Sequence, residues 1–345
     1  MSAHESVHGP MKRRVTIEDV ARAAGVSRQT VSRAINAKGE ISPLTYQRVM
    51  EAVQALDYRP SGVARSLATQ RTRTIGLVVP DITNPFFPEV ARGVQDVARQ
   101  EGYSVFLCNT DESPDEELQV LQSLASRPVD GIILFGSRIS EADLLAFADH
   151  YRPLVVLNRF LEHPGVSLVL VDNQRGAKLA VDYLAHLGHA AIGMLAGPVA
   201  SPSSIQRVEG FRQAMAAHGL AAPEDWIVPG PPTIEGGYET ARQILTQYPE
   251  VTAFFAYNDL SAWGAVQASR DLGRRVPAQC AVIGFDDIRL AAMVSPSLTS
   301  VRVDKYYLGQ QAMIRLLAML DTPDASFPPI HVGVELVVRE STLST

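Results

Sequence analysis

The pattern of hydrophobic and polar positions divides the chain into two regions with different periodicities. Up to about residue 59, apolar side chains recur every three or four residues, as on one face of a helix. From Ile75 onward, apolar runs of four to eight residues alternate with helix-like segments. Such alternation predicts parallel sheets that are covered by helices on both faces.

Seven apolar runs of the second region are predicted strands. They are IGLVV, SVFLC, GIILF, LVVL, AIGML, AFFAY and AVIGF. Helices are predicted near 87–101, 115–126, 141–149, 174–187, 204–218, 236–247, 259–272 and 305–320. The series is long enough for two lobes, with LVLVDN (168–173) and SLTSVRVD (297–304) as the crossings between them. The predicted fold class is therefore α/β, with an all-α head in front of a two-lobed body of parallel sheets covered by helices.

The first region predicts a helix–turn–helix unit. Thr16 caps a first helix over 17–24, and Gly25 supplies the left-handed turn that ends it. Ser27 caps a second helix, and Ser42 caps a third. In this arrangement the second helix enters the major groove of DNA.

The outer face of the second helix carries side chains that suit base edges. Arg28 and Arg33 are matched to guanine, and Gln29 is matched to adenine. Up to Thr74 the chain has 12 Lys and Arg against 6 Asp and Glu, whereas the remainder has 19 against 31. A basic head on an acidic body is expected when only the head meets a polyanion.

The segment VTIEDVARAAGVSRQTVSRAIN resembles the DNA-binding head of the LacI family, and the similarity continues through YRPSGVARSLATQRTRTIGLVVPD to cover the chain from Val15 onward. The resemblance implies that Arg28, Gln29 and Arg33 read bases. It implies that five residues touch or orient toward phosphates: Thr16, Ser27, Thr30, Ser32 and Asn36. It also implies a hinge helix that inserts Leu67, with Ala64 beside it, into the minor groove.

Four segments are expected. They are a tail over 1–13, a helix–turn–helix domain over 14–59, a hinge helix and linker over 60–73, and a body over 74–345 that binds an effector and dimerises. The body resembles periplasmic sugar-binding proteins. Its first lobe is expected over about 74–171 and 303–332, and its second over about 172–302 and 333–345.

Polar side chains follow the carboxyl ends of the predicted strands, where open α/β sheets bind ligands. The predicted effector-binding residues are Asp81, Asn84, Phe86, Phe87, Asn109, Ser137, Asn158, Arg159, Ser203, Arg207, Tyr257, Asn258 and Asp286. Such amides, carboxylates and arginines suit a ligand rich in hydroxyls, with the aromatic residues and Phe135 covering its apolar face. Asn84 and Asn258 are alternatively interpreted as helix caps. The resemblance places Arg159, Arg207 and Asp286 at or near positions that contact effector in relatives.

Three positions depart from the lactose-repressor type. Pro232 falls near the position where that repressor stacks a tryptophan on its sugar, and Val303 and Lys305 replace a glutamine and an aromatic residue. These differences argue against a galactoside. Pentoses, hexoses, glycosides, sugar acids and nucleobases stay open.

Other function classes find less support in the sequence. No G-x-S-x-G, H-E-x-x-H, Walker A or dinucleotide-binding motif is present, so an enzyme is not expected. Asp259, Asp286 and Asp287 are interpreted as ligand-facing or structural carboxylates in preference to a metal site. Cys108 and Cys280 lie in apolar runs and are expected to be reduced thiols. A transport receptor would require export, and the N-terminal stretch has no apolar signal core.

The sequence therefore predicts a cytoplasmic, homodimeric transcription regulator, most consistent with a repressor. The expected partners are an inverted-repeat DNA operator and a small polar effector, with no membrane partner, no cofactor and no metal. The C-terminal VVRESTLST has no leucine heptads, which favours dimers over tetramers. Control by a corepressor or by a protein partner is the alternative.

Overall fold

The structure is a computed structural model that describes residues 15–35, 41–58 and 71–343. The residues through Thr72 and the residues from Arg73 onward form two separate compact units, the head and the body. Each unit has its own hydrophobic core.

Three helices form the described part of the head: α1 (Ile17–Ala24), α2 (Arg28–Ile35) and α3 (Pro43–Ala55). Thr16 caps α1 through a capping box, and Gly25 ends it in the left-handed conformation with φ 64°. Val20, Val31 and Val49, one from each helix, are fully buried where the helices meet. The predicted helix–turn–helix order is confirmed for these residues.

Two six-stranded sheets form the centre of the body. The first contains β1 (Thr74–Val79), β2 (Ser104–Asn109), β3 (Gly131–Phe135), β4 (Leu154–Leu157), β5 (Val166–Val171) and β11 (Ile330–Val332). The second contains β6 (Ile192–Ala196), β7 (Ile227–Pro229), β8 (Ala253–Ala256), β9 (Ala281–Asp286), β10 (Thr299–Val303) and β12 (Val334–Val337). The strand orders are β11-β5-β4-β3-β1-β2 and β12-β10-β9-β8-β6-β7. Every pairing is parallel except β10 with β12.

Helices cover both faces of each sheet. They are α4 (Phe86–Gln100), α5 (Pro114–Ala125), α6 (Glu141–His150), α7 (Asn173–His186), α8 (Pro202–Ala217), α9 (Ile234–Gln247), α10 (Asp259–Asp271) and α11 (Lys305–Asp321). The first lobe consists of the first sheet with α4–α6 and α11, and the second lobe consists of the second sheet with α7–α10. Strands β3, β4, β8 and β9 are buried along their whole length, which explains their continuous apolar runs.

The chain passes between the two lobes three times: after β5, after β10, and at Gly333 between β11 and β12. The segments 168–173 and 297–304, predicted as crossings, overlap strands β5 and β10. Strands β7, β11 and β12, which are only three or four residues long, are not predicted from the sequence. All seven predicted strands and all eight predicted body helices are present, with helix ends that differ by at most two residues.

Candidate functional site

The described head presents the side chains of α2 that were predicted to read bases. Arg28, Gln29 and Arg33 are exposed, whereas Val31 and Ala34 on the opposite face are buried. The helical period therefore separates a core face from a polar outer face. These three side chains therefore lie on the outer face of α2, and their contact with DNA stays a prediction.

Small polar residues fix the start of α2. Ser27 Oγ accepts a hydrogen bond from the Thr30 backbone N–H at 3.2 Å and lies 3.0 Å from the Thr30 hydroxyl. Arg28 forms an exposed ion pair with Glu18 of α1, with 3.1 Å between Nη1 and Oε1. The Arg28 side chain therefore links the start of α2 to α1.

The other predicted DNA-binding residues fall into two groups. Thr16 completes the capping box at the start of α1, and Ser32 is half-buried on α2. Asn36, Ala64 and Leu67 lie outside the described residues.

In the body, a small cavity lies between the two lobes at the carboxyl ends of the strands. Its volume is about 30 Å³, roughly the space of one water molecule. Nine of the predicted effector-binding residues line it: Asn84, Phe86, Phe87, Asn158, Ser203, Arg207, Tyr257, Asn258 and Asp286. Five further residues complete the lining: Glu112, Phe135, Gly136, Arg138 and Pro232. We call the space that these fourteen residues enclose the cleft cavity.

An aromatic cluster forms the apolar wall of the cleft cavity in the first lobe. Phe86, Phe87 and Phe135 meet edge to face, with ring centroids 5.2–5.5 Å apart. All three side chains are nearly buried. Edge-to-face packing of this kind fixes the ring positions, so the wall is a preformed apolar surface.

Arg207 on α8 is the central cation of the second lobe. Its Nε donates to Asn173 Oδ1 at 2.9 Å, and its Nη1 donates to the Tyr257 carbonyl. The guanidinium lies 3.5 Å from the centroid of Phe285. Burial lowers the pKa of Arg207, and the nearby Asp286 carboxylate partly offsets this effect. The side chain is therefore fixed in place while its Nη2 faces Asp286 at 3.7 Å.

Asp286 is the carboxylate opposite Arg207, and it ends β9. Its backbone has φ 104°, an uncommon conformation for a non-glycine residue. Lys305 Nζ donates to the Asp286 carbonyl at 2.8 Å and to the Asp287 carbonyl at 2.9 Å, which holds this turn. Burial raises the pKa of Asp286 to about 6, although Arg207 and Lys305 act in the opposite direction.

A hydrogen-bond network joins the lobes beside the cleft cavity. Asn158, which follows β4 with φ 57°, donates from Nδ2 to Ser203 Oγ at 2.6 Å. Its Oδ1 accepts from Asn173 Nδ2 at 2.7 Å. Asn158 in the first lobe is thereby linked to α7 and α8 in the second.

Asn258 satisfies both interpretations offered by the sequence, whereas Asn84 lies one residue before Pro85, the N-cap of α4, and does not cap that helix. Asn84 Oδ1 accepts from the Phe86 N–H at 3.0 Å, and Asn258 Oδ1 accepts from the Ser261 N–H at 2.8 Å. Both residues also line the cleft cavity. For Asn258 the amide nitrogen is used as well, since it donates to the Pro232 carbonyl at 2.9 Å.

Four predicted effector-binding residues are not brought into the cleft cavity: Asp81, Asn109, Ser137 and Arg159. Asp81 accepts from Thr83, and Asn109 accepts from the Ile82 N–H at 2.7 Å, so both order the loops after their strands. The Ser137 hydroxyl donates to the buried Glu117 carboxylate. Arg159 donates to the Ile139 carbonyl at 2.6 Å and to Ser137. Position after a strand identified the correct edge of the sheet but not the direction of each side chain.

The acidic residues near Asp286 have protein partners. Asp259 accepts from the Ser300 hydroxyl at 2.5 Å and from the Ile288 N–H at 2.7 Å. Asp287 forms ion pairs with Arg302 and Arg339. Within the described ranges, no three His, Cys, Asp or Glu side chains are grouped as metal ligands.

Two family profiles match the chain. "Bacterial regulatory proteins, lacI family" matches residues 16–61, and "Periplasmic binding proteins and sugar binding domain of LacI family" matches residues 72–326. The chain belongs to the LacI family. The resemblance and the fold class predicted from the sequence are both confirmed.

Full-length relatives and solved structures agree with this assignment. The ribose operon repressor of Halalkalibacterium halodurans is 37% identical over 95% of this chain and 97% of its own length. The transcriptional repressor PurR of Mannheimia succiniciproducens is 36% identical over 94% of this chain and 98% of its own length. A lac repressor dimer bound to operator is 28% identical with a TM-score of 0.86, covering 96% of this chain and 100% of that one. A complex of the regulator CelR with cellobiose is 31% identical with a TM-score of 0.72, over 95% and 100%.

As a LacI-family member, the protein is a DNA-binding transcriptional regulator with an effector-binding body. Its relatives are regulators and not enzymes, which removes the enzyme alternative. Among the described residues, no helix is both long enough and apolar enough to cross a membrane.

Three further residues line the cavity but are not among those predicted from the sequence: Glu112, Gly136 and Arg138. Arg138 comes immediately after Ser137, which was selected for its place behind β3, and the chain turns so that the arginine enters the cavity instead. Glu112 lies three residues beyond β2 in a loop with two consecutive left-handed residues. The signal available for both was a charged residue farther along the chain than the selected polar residue, one position beyond Ser137 for Arg138 and three beyond Asn109 for Glu112.

Proposed function

We propose that this LacI-family protein is a homodimeric repressor that binds an inverted-repeat operator through α2. A small sugar-like ligand that binds in the cleft cavity lowers or raises its affinity for the operator. The observation that carries the proposal is the cleft cavity itself, where buried charged side chains from both lobes face an aromatic wall. Paired donors and acceptors beside aromatic rings suit a molecule with hydroxyls on its edge and an apolar face. The similarity to a ribose operon repressor and to a regulator in complex with cellobiose supports a sugar.

The residue roles follow from the positions of the side chains. Arg28, Gln29 and Arg33 read bases from the exposed face of α2. Five residues position the head on phosphates: Thr16, Ser27, Thr30, Ser32 and Asn36. Leu67, with Ala64, acts from the hinge over 60–73. The head over 14–59 then binds the DNA, and the body over 74–345 binds the effector.

A twofold dimer is supported by an exposed apolar edge of the body. Strand β2 ends the first sheet and leaves Phe106 and Leu107 50% and 44% exposed. An uncovered edge strand with large apolar side chains is a site for association. A twofold dimer presents two identical heads, and two heads match an inverted repeat. Because its target is DNA, we place the protein in the cytoplasm.

The volume of the cleft cavity links ligand binding to lobe movement. Ligand sites usually enclose about 300–1,000 Å³, whereas this cavity has about 30 Å³. A sugar therefore requires the lobes to separate or to shift before they close on it. Operator and ligand bias the same lobe equilibrium, so each alters the affinity for the other by the same factor. The mechanism holds for an inducer and for a corepressor.

The DNA-reading assignment is tested with an operator selected from a random DNA library by the full-length protein. Arg33→Ala and Gln29→Ala should each weaken specific binding by about 1–3 kcal/mol while nonspecific binding persists. Arg22→Ala is the matched control, because Arg22 is an exposed arginine of α1. Equal operator affinities for wild type, Arg33→Ala and Gln29→Ala in a gel-shift titration would show that α2 does not read the site.

The effector assignment is tested by thermal shift against sugars and nucleobases. A hit should change operator affinity in the same titration, and the direction of the change separates an inducer from a corepressor. A regulator whose operator affinity responds to none of the hits would contradict allosteric control through the cleft cavity.

A further inference from the structure

Each lobe contributes one carboxylate–guanidinium pair to the cleft cavity. In the second lobe, Asp286 Oδ1 lies 3.7 Å from Arg207 Nη2. In the first lobe, Glu112 Oε2 lies 2.7 Å from Arg138 Nε. All four residues line the cleft cavity. The two pairs therefore face the same ligand space from opposite sides.

The backbone of both carboxylate residues, Glu112 and Asp286, has a conformation that is uncommon for non-glycine residues. Asp111 and Glu112 have φ 50° and 58°, and Asp286 and Asp287 have φ 104° and 50°. All four are non-glycine residues with positive φ, a strained conformation that clusters at functional sites. Both loops follow the carboxyl end of a strand, β2 in one lobe and β9 in the other. Backbone with positive φ after the end of a strand thus orients one carboxylate in each lobe.

Arg138 is held so that part of its guanidinium stays available. Its backbone N–H donates to Glu117 Oε2 at 2.6 Å, and its Nη1 donates to the Gly136 carbonyl. Nε is used by Glu112. Among the described residues, Nη2 has no acceptor, and the side chain is only 4% exposed. An arginine fixed through three of its groups and open at Nη2 is built to donate to a bound molecule.

Tyr257 of the second lobe lines the cleft cavity together with both guanidinium groups. The Arg207 guanidinium lies 4.8 Å from the centroid of the Tyr257 ring. Burial acts to lower the pKa of Arg138, but Tyr257 and Glu112 outweigh burial and raise this pKa. Arg138 of the first lobe and Tyr257 of the second therefore border the same ligand space.

We propose that Glu112 and Arg138 are specificity-determining residues for the effector, and that with Asp286 and Arg207 they select an uncharged polyhydroxyl ligand. This inference rests on the proposed function. A hydroxyl group donates to a carboxylate while it accepts from a guanidinium, so one hydroxyl matches each pair. The four charges cancel. A charged ligand therefore gains no net attraction that offsets the loss of its hydration, whereas a hydroxyl group loses much less hydration on burial, so both charged classes are disfavoured.

The test is calorimetric titration of the full-length protein with matched uncharged and charged sugars. The pairs are D-ribose and D-ribose 5-phosphate, D-glucose and D-gluconate, and cellobiose and cellobionate, with D-glucosamine as the cation. The wild type should bind an uncharged member at least about 10-fold more tightly than its acidic counterpart. Glu112→Gln and Arg138→Met should each weaken that binding about 10-fold or more, since each removes a charged hydrogen-bond partner.

Selectivity separates a direct role from a structural one. Glu112→Gln removes one negative charge from the cleft cavity. It should therefore also lower the ratio between the affinity for the uncharged sugar and the affinity for its acidic counterpart. The exposed residues Glu116 and Arg127 provide matched controls, and Glu116→Gln and Arg127→Met should leave both affinity and preference unchanged. Because Arg138 is buried, Glu112→Gln, which keeps the side-chain shape, decides the matter if Arg138→Met does not fold.

Two kinds of result would overturn the inference. If the wild type binds an uncharged sugar and Glu112→Gln leaves both affinity and preference unchanged, the first-lobe pair has no role, although the proposed function stands. If the wild type binds only charged compounds, or none of the panel, the ligand class is wrong. In the second case, the affinity for the selected operator distinguishes two errors. If that affinity responds to a nucleobase, only the ligand class is wrong. If it responds to no compound, the proposed effector control fails.

Discussion

The two lobes hold the same kind of charged pair in different ways. In the first lobe, Arg138 and Glu112 are in direct contact at 2.7 Å, and the Glu112 side chain is 22% exposed. In the second lobe, Arg207 and Asp286 are 3.7 Å apart, and both side chains are at most 8% exposed. One pair is closed and partly hydrated, whereas the other is open and desolvated.

This difference assigns different tasks to the lobes. A close pair with a hydrated carboxylate is nearly satisfied by itself, so it changes little when the ligand is absent. A desolvated pair that is separated by 3.7 Å has unused hydrogen-bonding capacity, and buried charges in that state oppose folding. The second lobe thus has more to gain from ligand hydroxyls. We expect it to supply most of the ligand affinity and the first lobe to supply selectivity.

The largest expected effect comes from removing the second-lobe cation. Arg207→Ala leaves the buried Asp286 carboxylate without its counterion and removes the packing on Phe285. Without this counterion the pKa of the buried Asp286 rises further, so the carboxyl takes up a proton near neutral pH and the second lobe loses both charges of the pair. Ligand binding should disappear in calorimetry, while the selected operator is still bound. Retention of ligand affinity in a folded Arg207→Ala protein would break the proposed division between the lobes.

The second prediction concerns pH and Asp286. The pKa of Asp286 is raised to about 6 in the folded protein by burial, against about 3.9 for an unfolded aspartate. A group with a raised folded pKa stabilises the protein fully below its unfolded pKa, and this contribution is lost as the pH rises through the folded pKa. Two pKa units correspond to about 3 kcal/mol. The free energy of unfolding should therefore fall between about pH 4 and pH 6.5.

Asp286→Asn isolates this contribution, because the amide stays neutral at every pH. The variant should match the wild type near pH 4 and exceed its free energy of unfolding by about 3 kcal/mol at pH 7.5. Urea titrations of the full-length protein at four pH values measure the difference. A constant difference across the range would mean that the Asp286 carboxyl does not titrate in this window.

Much of the fold was predictable because its elements are encoded locally. The runs GIILF, LVVL and AFFA are strands as predicted, since strands buried on both faces need continuous apolar residues. The short strands β7, β11 and β12 were missed, because three or four residues carry too little pattern. Their existence depends on pairing with β6, β5 and β10, which only the tertiary fold provides.

The site was predictable as a place but not as a set of contacts. Arg207 and Asp286 were found because their positions match the family and the strand-end rule. Arg159 was selected by the same rule, yet its guanidinium turns to Ser137 and Ile139. Glu112 enters the cavity because its backbone is left-handed. The residue types of the segment NTDESP (109–114) do not predict that conformation.

The smallest expected effect is also the sharpest comparison, since the same kind of substitution should have opposite signs in the two lobes. Asp286→Asn relieves a desolvated charge and raises the free energy of unfolding at pH 7.5. Glu112→Gln removes a charged hydrogen bond from Arg138 at 2.7 Å and should lower the free energy of unfolding by about 1–2 kcal/mol. The partly exposed Glu112 keeps this value below that of a fully buried pair. Urea titration at pH 7.5 compares both variants with Glu116→Gln, which should be neutral. If both variants shift stability in the same direction, the two pairs are energetically alike, and the assignment of affinity to one lobe and selectivity to the other loses its physical basis.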